Sequence, residues 1–94
     1  MFLAVYAEAS DESITKAFKE AGFRAYTKMH GVTGEGQETE PKLGTHFWPG
    51  LNNALFLAVP NEEVERLCDM VKQLKNDYPR AGLRAFTFPL EECV

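Results

Sequence analysis

Residues 29–56, MHGVTGEGQETEPKLGTHFWPGLNNALF, interrupt an otherwise regular succession of strand and helix patterns. The stretch leaves a strand-like run, passes Gly31, Gly34 and Gly36 among Glu35, Glu38 and Glu40, and returns through His46-Phe47-Trp48-Pro49-Gly50 into an apolar segment. Neither the period of a strand nor that of a helix runs through it. A connection of this kind exceeds the roughly 12–15 residues that structureless loops in compact domains usually reach, which marks a binding or switching segment. Its flanks are then the scaffold.

Upstream, residues 2–7 are continuously apolar and short, as in a strand covered on both faces. Ser10 is placed to cap a helix whose first turn carries Asp11 and Glu12 and whose apolar face is Ile14, Ala17, Phe18 and Ala21, with Gly22 as its stop. Residues 23–31 alternate: Phe23, Ala25, Thr27 and Met29 fall on one face and Arg24, Tyr26, Lys28 and His30 on the other, the mixed pattern of an edge strand. Downstream, residues 53–59 are again apolar at nearly every position, and Pro60 ends them. Asn61 is the expected cap of a second helix with Val64, Leu67, Cys68, Val71 and Leu74 as its stripe, while Arg66, Lys72 and Lys75 keep the other side in water. A turn around Pro79 leads to a last strand over residues 83–88, closed by Pro89.

Strand, helix, strand, loop, strand, helix, strand is the α+β ferredoxin-like βαββαβ order, a four-stranded antiparallel sheet with two helices on one face. Two helices cover one face only. The first and third strands are apolar on both, and Phe86 and Phe88 stand opposite Leu83, Ala85 and Thr87 in the fourth. The open face would be a larger apolar patch than monomers usually expose, so burial against further copies of the chain is expected. A ring around a threefold axis would join three sheets, although composition leaves dimer and trimer open.

The 94 residues make a single domain, 1–94, with the loop at about 32–53, and a chain this short has a small core. With 45% hydrophobic and 26% charged residues the composition is that of an ordinary globular protein, and a net charge of −4 argues against a nucleic-acid partner held by bulk positive charge. The N-terminal apolar run lacks a positive flank and is too short to span a bilayer, so no membrane insertion and a cytoplasmic location are expected. Cys68 and Cys93 have neither zinc-site nor redox spacing and read as free thiols.

The glycine-bearing end of the second strand, Lys28-Met29-His30-Gly31-Val32-Thr33-Gly34-Glu35-Gly36-Gln37, the long insertion, and the ending Arg84-Ala85-Phe86-Thr87-Phe88-Pro89-Leu90-Glu91-Glu92 resemble the nitrogen-regulatory PII signalling family over essentially the whole chain. The resemblance implies a homotrimer that binds adenine nucleotides between subunits and docks partner proteins through a long T-loop. Carried over, residues 37–53 are that loop, Gly31, Gly34, Gly36 and Gln37 lie at its base near the ligand, and Arg84 stands where the family has a phosphate-contacting lysine. Before the last strand the family has a glycine-rich nucleotide loop, whereas this chain has Pro79-Arg80-Ala81-Gly82-Leu83, which marks a divergent member. The metal-tolerance CutA family, which shares the trimeric fold, is a weaker resemblance.

The chemistry open to the loop base follows from residue type. Gly31, Gly34 and Gly36 either bring backbone N–H groups to a phosphate or serve as a hinge. Lys28, Lys42, Arg80 and Arg84 are the cations available to an anionic ligand such as ATP, ADP or AMP. Glu38, Lys42, His46 and Trp48 are the residues expected to meet a partner protein, with Trp48 either a stacking or docking anchor or a packing residue of the loop stem. His30 and His46, at the two ends of the loop, form the alternative metal pair. No nucleophile with an adjacent base and no carboxylate pair is apparent, so catalysis ranks last among the functions considered.

Overall fold

The computed structural model describes residues 1–33 and 51–93. Four strands, β1 (Phe2–Ala7), β2 (Thr27–Val32), β3 (Asn52–Leu57) and β4 (Arg84–Thr87), form one sheet in the order β2-β3-β1-β4, with every neighbouring pair antiparallel. Two helices, α1 (Asp11–Glu20) and α2 (Val64–Asp77), connect them. This is the ferredoxin-like arrangement the sequence pattern implies.

Alternation along β1 decides which face is which. Phe2, Ala4 and Tyr6 are buried together with Leu55 and Leu57 of β3, Ile14 and Phe18 of α1, and Leu67, Val71 and Leu74 of α2, so both helices cover the same face. Burial of such side chains stabilises the fold by roughly 1.5–3 kcal/mol each. The opposite face carries two rows of side chains in register. One runs Thr27, Phe56, Leu3, Phe86 and the other Met29, Ala54, Val5, Arg84. Phe86 is 53% and Met29 49% exposed, so among the described residues the apolar face expected from residue counting lacks cover.

The local starts and stops differ from the pattern in instructive ways. Ser10 makes no side-chain cap: a 3-10 turn over Glu8–Ser10 precedes α1 and leaves Ser10 at φ −99°, ψ 9°, outside the extended geometry a capping side chain needs. Asn61 fails as a cap for the same reason, because Asn61–Glu63 is itself a 3-10 turn before α2. At the other end of α1, Gly22 takes φ +97° and the Phe23 N–H reaches back 2.9 Å to the Phe18 carbonyl, a Schellman closure. That turn draws Phe23 into the core, so β2 begins at Thr27 rather than at residue 23, and Phe23 and Met29 lie on opposite sides of the sheet. Arg66 of α2 then stacks 4.3 Å above the Phe23 ring and donates from Nη1 to the Ala21 carbonyl at 3.0 Å, tying the end of α1 to α2. β3 ends at Leu57 because its partner strand begins at Phe2.

Candidate ligand cleft and loop root

The described part of the glycine-bearing segment, residues 28–33, and β4 lie at opposite edges of the sheet within one protomer. Arg84 opens β4 at one sheet edge and Gly31 lies near the end of β2 at the other, so they are separated by three strand spacings, about 14 Å. Arg84 shares the open face with Val5, Ala54 and Met29, whereas Lys28 pairs with Leu55 and faces the helices. Within one protomer the two cations therefore lie on opposite edge strands and on opposite faces of the sheet. His30 and Gly31 are exposed on β2. Gly34, Gly36, Gln37, Glu38, Lys42, His46 and Trp48 lie outside the described residues, as does most of the 37–53 segment. Among the described residues no group of three or more His, Cys, Asp and Glu side chains is placed to hold a metal.

Gly31 sits at a break in the β2–β3 ladder. Met29 pairs with Ala54 and Val32 with Asn52, a register shift that places a bulge between them, and Gly31 takes φ +67° within it. The Gly31 N–H, taken out of the regular ladder, points to the side-chain Oδ1 of Asn53 at 3.4 Å. Asn53 is fully buried and stands opposite Tyr6 in the β1–β3 register. Beneath them lies a polar cluster that joins β1, β2 and α1. The Tyr6 hydroxyl donates to Asp11 Oδ1 at 2.7 Å, Lys28 Nζ donates to Asp11 Oδ2 at 2.9 Å and to Thr15 Oγ1 at 3.3 Å, and the Thr15 hydroxyl donates to the Asp11 main-chain carbonyl at 2.6 Å.

Burial by itself raises the Asp11 carboxyl, but hydrogen bonds from Tyr6, Lys28, Asn53 and Thr15 outweigh it and bring the group from 3.8 down to about 2. Burial, then the bond to Asp11, push the Tyr6 phenol well above its ordinary value. Asp11 is therefore a fixed negative charge and Tyr6 a fixed donor at neutral pH. Lys28 Nζ, the cation nearest the loop in sequence, is matched by that carboxylate. In the sequence Asp11 reads only as a favourable charge in the first turn of a helix. The signal that would have found the cluster is Tyr6 and Asn53 themselves, polar side chains inside apolar strands that need partners once buried.

The fold and the two loop roots together define a ferredoxin-like domain that presents an apolar sheet face and a bulged edge. The family model described as nitrogen regulatory protein P-II matches residues 1–94, and the chain belongs to that family. No curated protein matches it. Among solved structures it is similar to CPII from Thiomonas intermedia K12 bound to ADP, AMP and acetate, with TM-score 0.66 and 19% identity over 90% of this chain and 78% of that one. CPII bound to ADP, AMP and bicarbonate gives TM-score 0.64 at 19% identity over 90% and 81%. A protein from Thermus thermophilus named for PII-like signaling gives 0.59 at 22% identity over 90% and 77%.

Proposed function

We propose that the chain is a PII-like trimeric regulator that binds a small anionic ligand, an adenine nucleotide, between subunits and controls a partner protein through the loop at residues 37–53. The observation that carries this reading is the placement of Arg84 and the Gly31 bulge on opposite sheet edges, beside an apolar face that lacks cover. In a rotationally symmetric ring the β4 edge of one protomer approaches the β2 edge of the next, which closes the gap of about 14 Å that one protomer leaves open. Arg84 then supplies the charge for a phosphate, and Gly31, Gly34, Gly36 and Gln37 supply backbone groups from the neighbouring edge. Lys28 contributes through the loop root it anchors. CPII, bound in its structures to ADP, AMP and bicarbonate, supports this ligand class. A ligand that prefers one loop state shifts the loop, with Glu38, Lys42, His46 and Trp48 as the partner-facing residues.

The test is sedimentation velocity at low micromolar concentration, followed by calorimetric titration with AMP, ADP and ATP, with and without bicarbonate. A trimer that binds one of these nucleotides, with affinity reduced at least tenfold by Arg84→Ala, is the expected result. A well-folded monomer, or a trimer indifferent to all three nucleotides, overturns the reading. The metal-responsive, CutA-like alternative predicts instead a thermal shift with copper or zinc that His30→Ala or His46→Ala removes.

A further inference from the structure

Two residues of β2, His30 and Gly31, stand opposite a single residue of β3, Asn53, because Met29 pairs with Ala54 and Val32 with Asn52. One main-chain position cannot serve two, and the Asn53 side chain makes up the difference: its Oδ1 accepts from the Gly31 N–H at 3.4 Å. With the oxygen so placed, the amide nitrogen points the other way, toward the helix-covered side. There Asn53 stands in register with Tyr6, whose hydroxyl meets Asp11. Nδ2 is buried and makes no hydrogen bond of ordinary geometry among the described residues, yet Asn53 is one of the side chains that hold the Asp11 carboxyl charged. A small side-chain adjustment closes that contact, because an orphaned donor is disfavoured in an interior and a charged acceptor gives the stronger bond. One conformation of the amide then makes both bonds.

We propose that Asn53 is a strut at the root of the long loop: its one side-chain amide, bonded through Oδ1 to the Gly31 N–H and through Nδ2 to the Asp11 carboxylate, fixes the bulge of β2 to the start of α1. Asn53 and Asp11 are thus positioning residues for the loop. The strut joins the two ends of the long connection, since Gly31 lies where the chain leaves β2 and Asn53 is the second residue of β3. The returning end is itself held, because the Glu8 N–H donates to the Leu51 carbonyl at 2.9 Å. Asp11 can reach the bulge by two routes: along β2 through Lys28, which takes Oδ2, or across the sheet through Asn53. The strut assigns the second. The proposal concerns the unliganded chain, so its failure is separate from a failure of the nucleotide-binding reading.

NMR on the full unliganded protein distinguishes the two routes. In Asp11→Ala, exchange at the Gly31 amide should accelerate by about threefold or more relative to the amides of Leu55 and Leu57, which report opening of the sheet as a whole. The Asn53 side-chain amide proton that faces the carboxylate should move upfield in the same variant, as its acceptor is gone. In Asn53→Ala, exchange at Gly31 should already be faster, and adding Asp11→Ala should accelerate it no further. Asp11→Asn and Asn53→Ser, which keep polar side chains, replace any variant that does not fold and should move Gly31 in the same directions. Equal acceleration by the Asp11 substitution with and without Asn53 assigns the effect to Lys28 and overturns the strut. So does unchanged relative exchange at Gly31 in a folded Asp11 variant, or an Asn53 side-chain signal indifferent to Asp11.

Discussion

Lys28 Nζ lies 2.9 Å from Asp11 Oδ2, and this pair joins the outermost strand of the sheet to the first turn of α1. Both side chains are largely withdrawn from solvent, at 17% and 25% exposure, and each makes a second hydrogen bond within the cluster. Lys28→Met leaves the carboxylate without its cation. It should lower stability by about 1–3 kcal/mol in urea unfolding, as expected when a partly buried charged group loses its hydrogen-bonded partner. An unchanged midpoint would mean that the pair does not hold β2 to α1.

The same carboxylate sets an acid limit. Asp11 titrates at about 2 in the folded chain against an ordinary 3.8, so between these values the unfolded chain binds more protons and stability rises with pH. The contribution is complete above the ordinary value and is lost as pH falls through the folded one. Wild-type stability should therefore fall more steeply from pH 4 to pH 2 than that of Asp11→Asn, as measured by urea midpoints across that range. Parallel curves would exclude Asp11 as the source.

Phe86 stands in register with Leu3 on the open face of the sheet and contributes nothing to the helix-covered core. On the proposed trimeric reading, Phe86→Asp should weaken self-association at least tenfold in sedimentation while changing the stability of the separated protomer by less than about 0.5 kcal/mol, the usual range for surface substitutions. A variant that stays assembled would show that this face is not the one buried between copies.

Gly31 adopts φ +67°, and among the described residues an added Cβ would meet only Leu51 Cδ1 at 3.9 Å, an ordinary contact. The cost of Gly31→Ala is therefore conformational, about 1–2 kcal/mol for a left-handed position. Gly31→Asn should cost less, because asparagine tolerates that region. Equal losses in thermal unfolding would point to crowding instead.

How much of this was legible in the chain depends on the range of the cause. The apolar run of β1, the Phe86 alternation and the glycine at residue 22 state their roles within a few positions, and the element order and the uncovered face follow from them. Ser10 and Asn61 do not cap their helices because a 3-10 turn, which is not visible in residue type, comes first in each case. The start of β2 shifted because Phe23 is drawn into the core by packing against distant residues, including Arg66. The Asp11 cluster stayed hidden for the same reason: Lys28 lies 17 positions away in sequence. Lys28 therefore reads as an available cation until its carboxylate is seen.

The irregularity between Met29 and Val32 has a further consequence for the newly made chain. Among the described residues β2 is an edge strand of the sheet, and a straight unpaired flank of that length would template strands from other molecules. A kink midway along it interrupts the row of matching donors and acceptors. The feature that bends the loop root therefore also blunts the β2 edge against fibril-like stacking of one molecule on another.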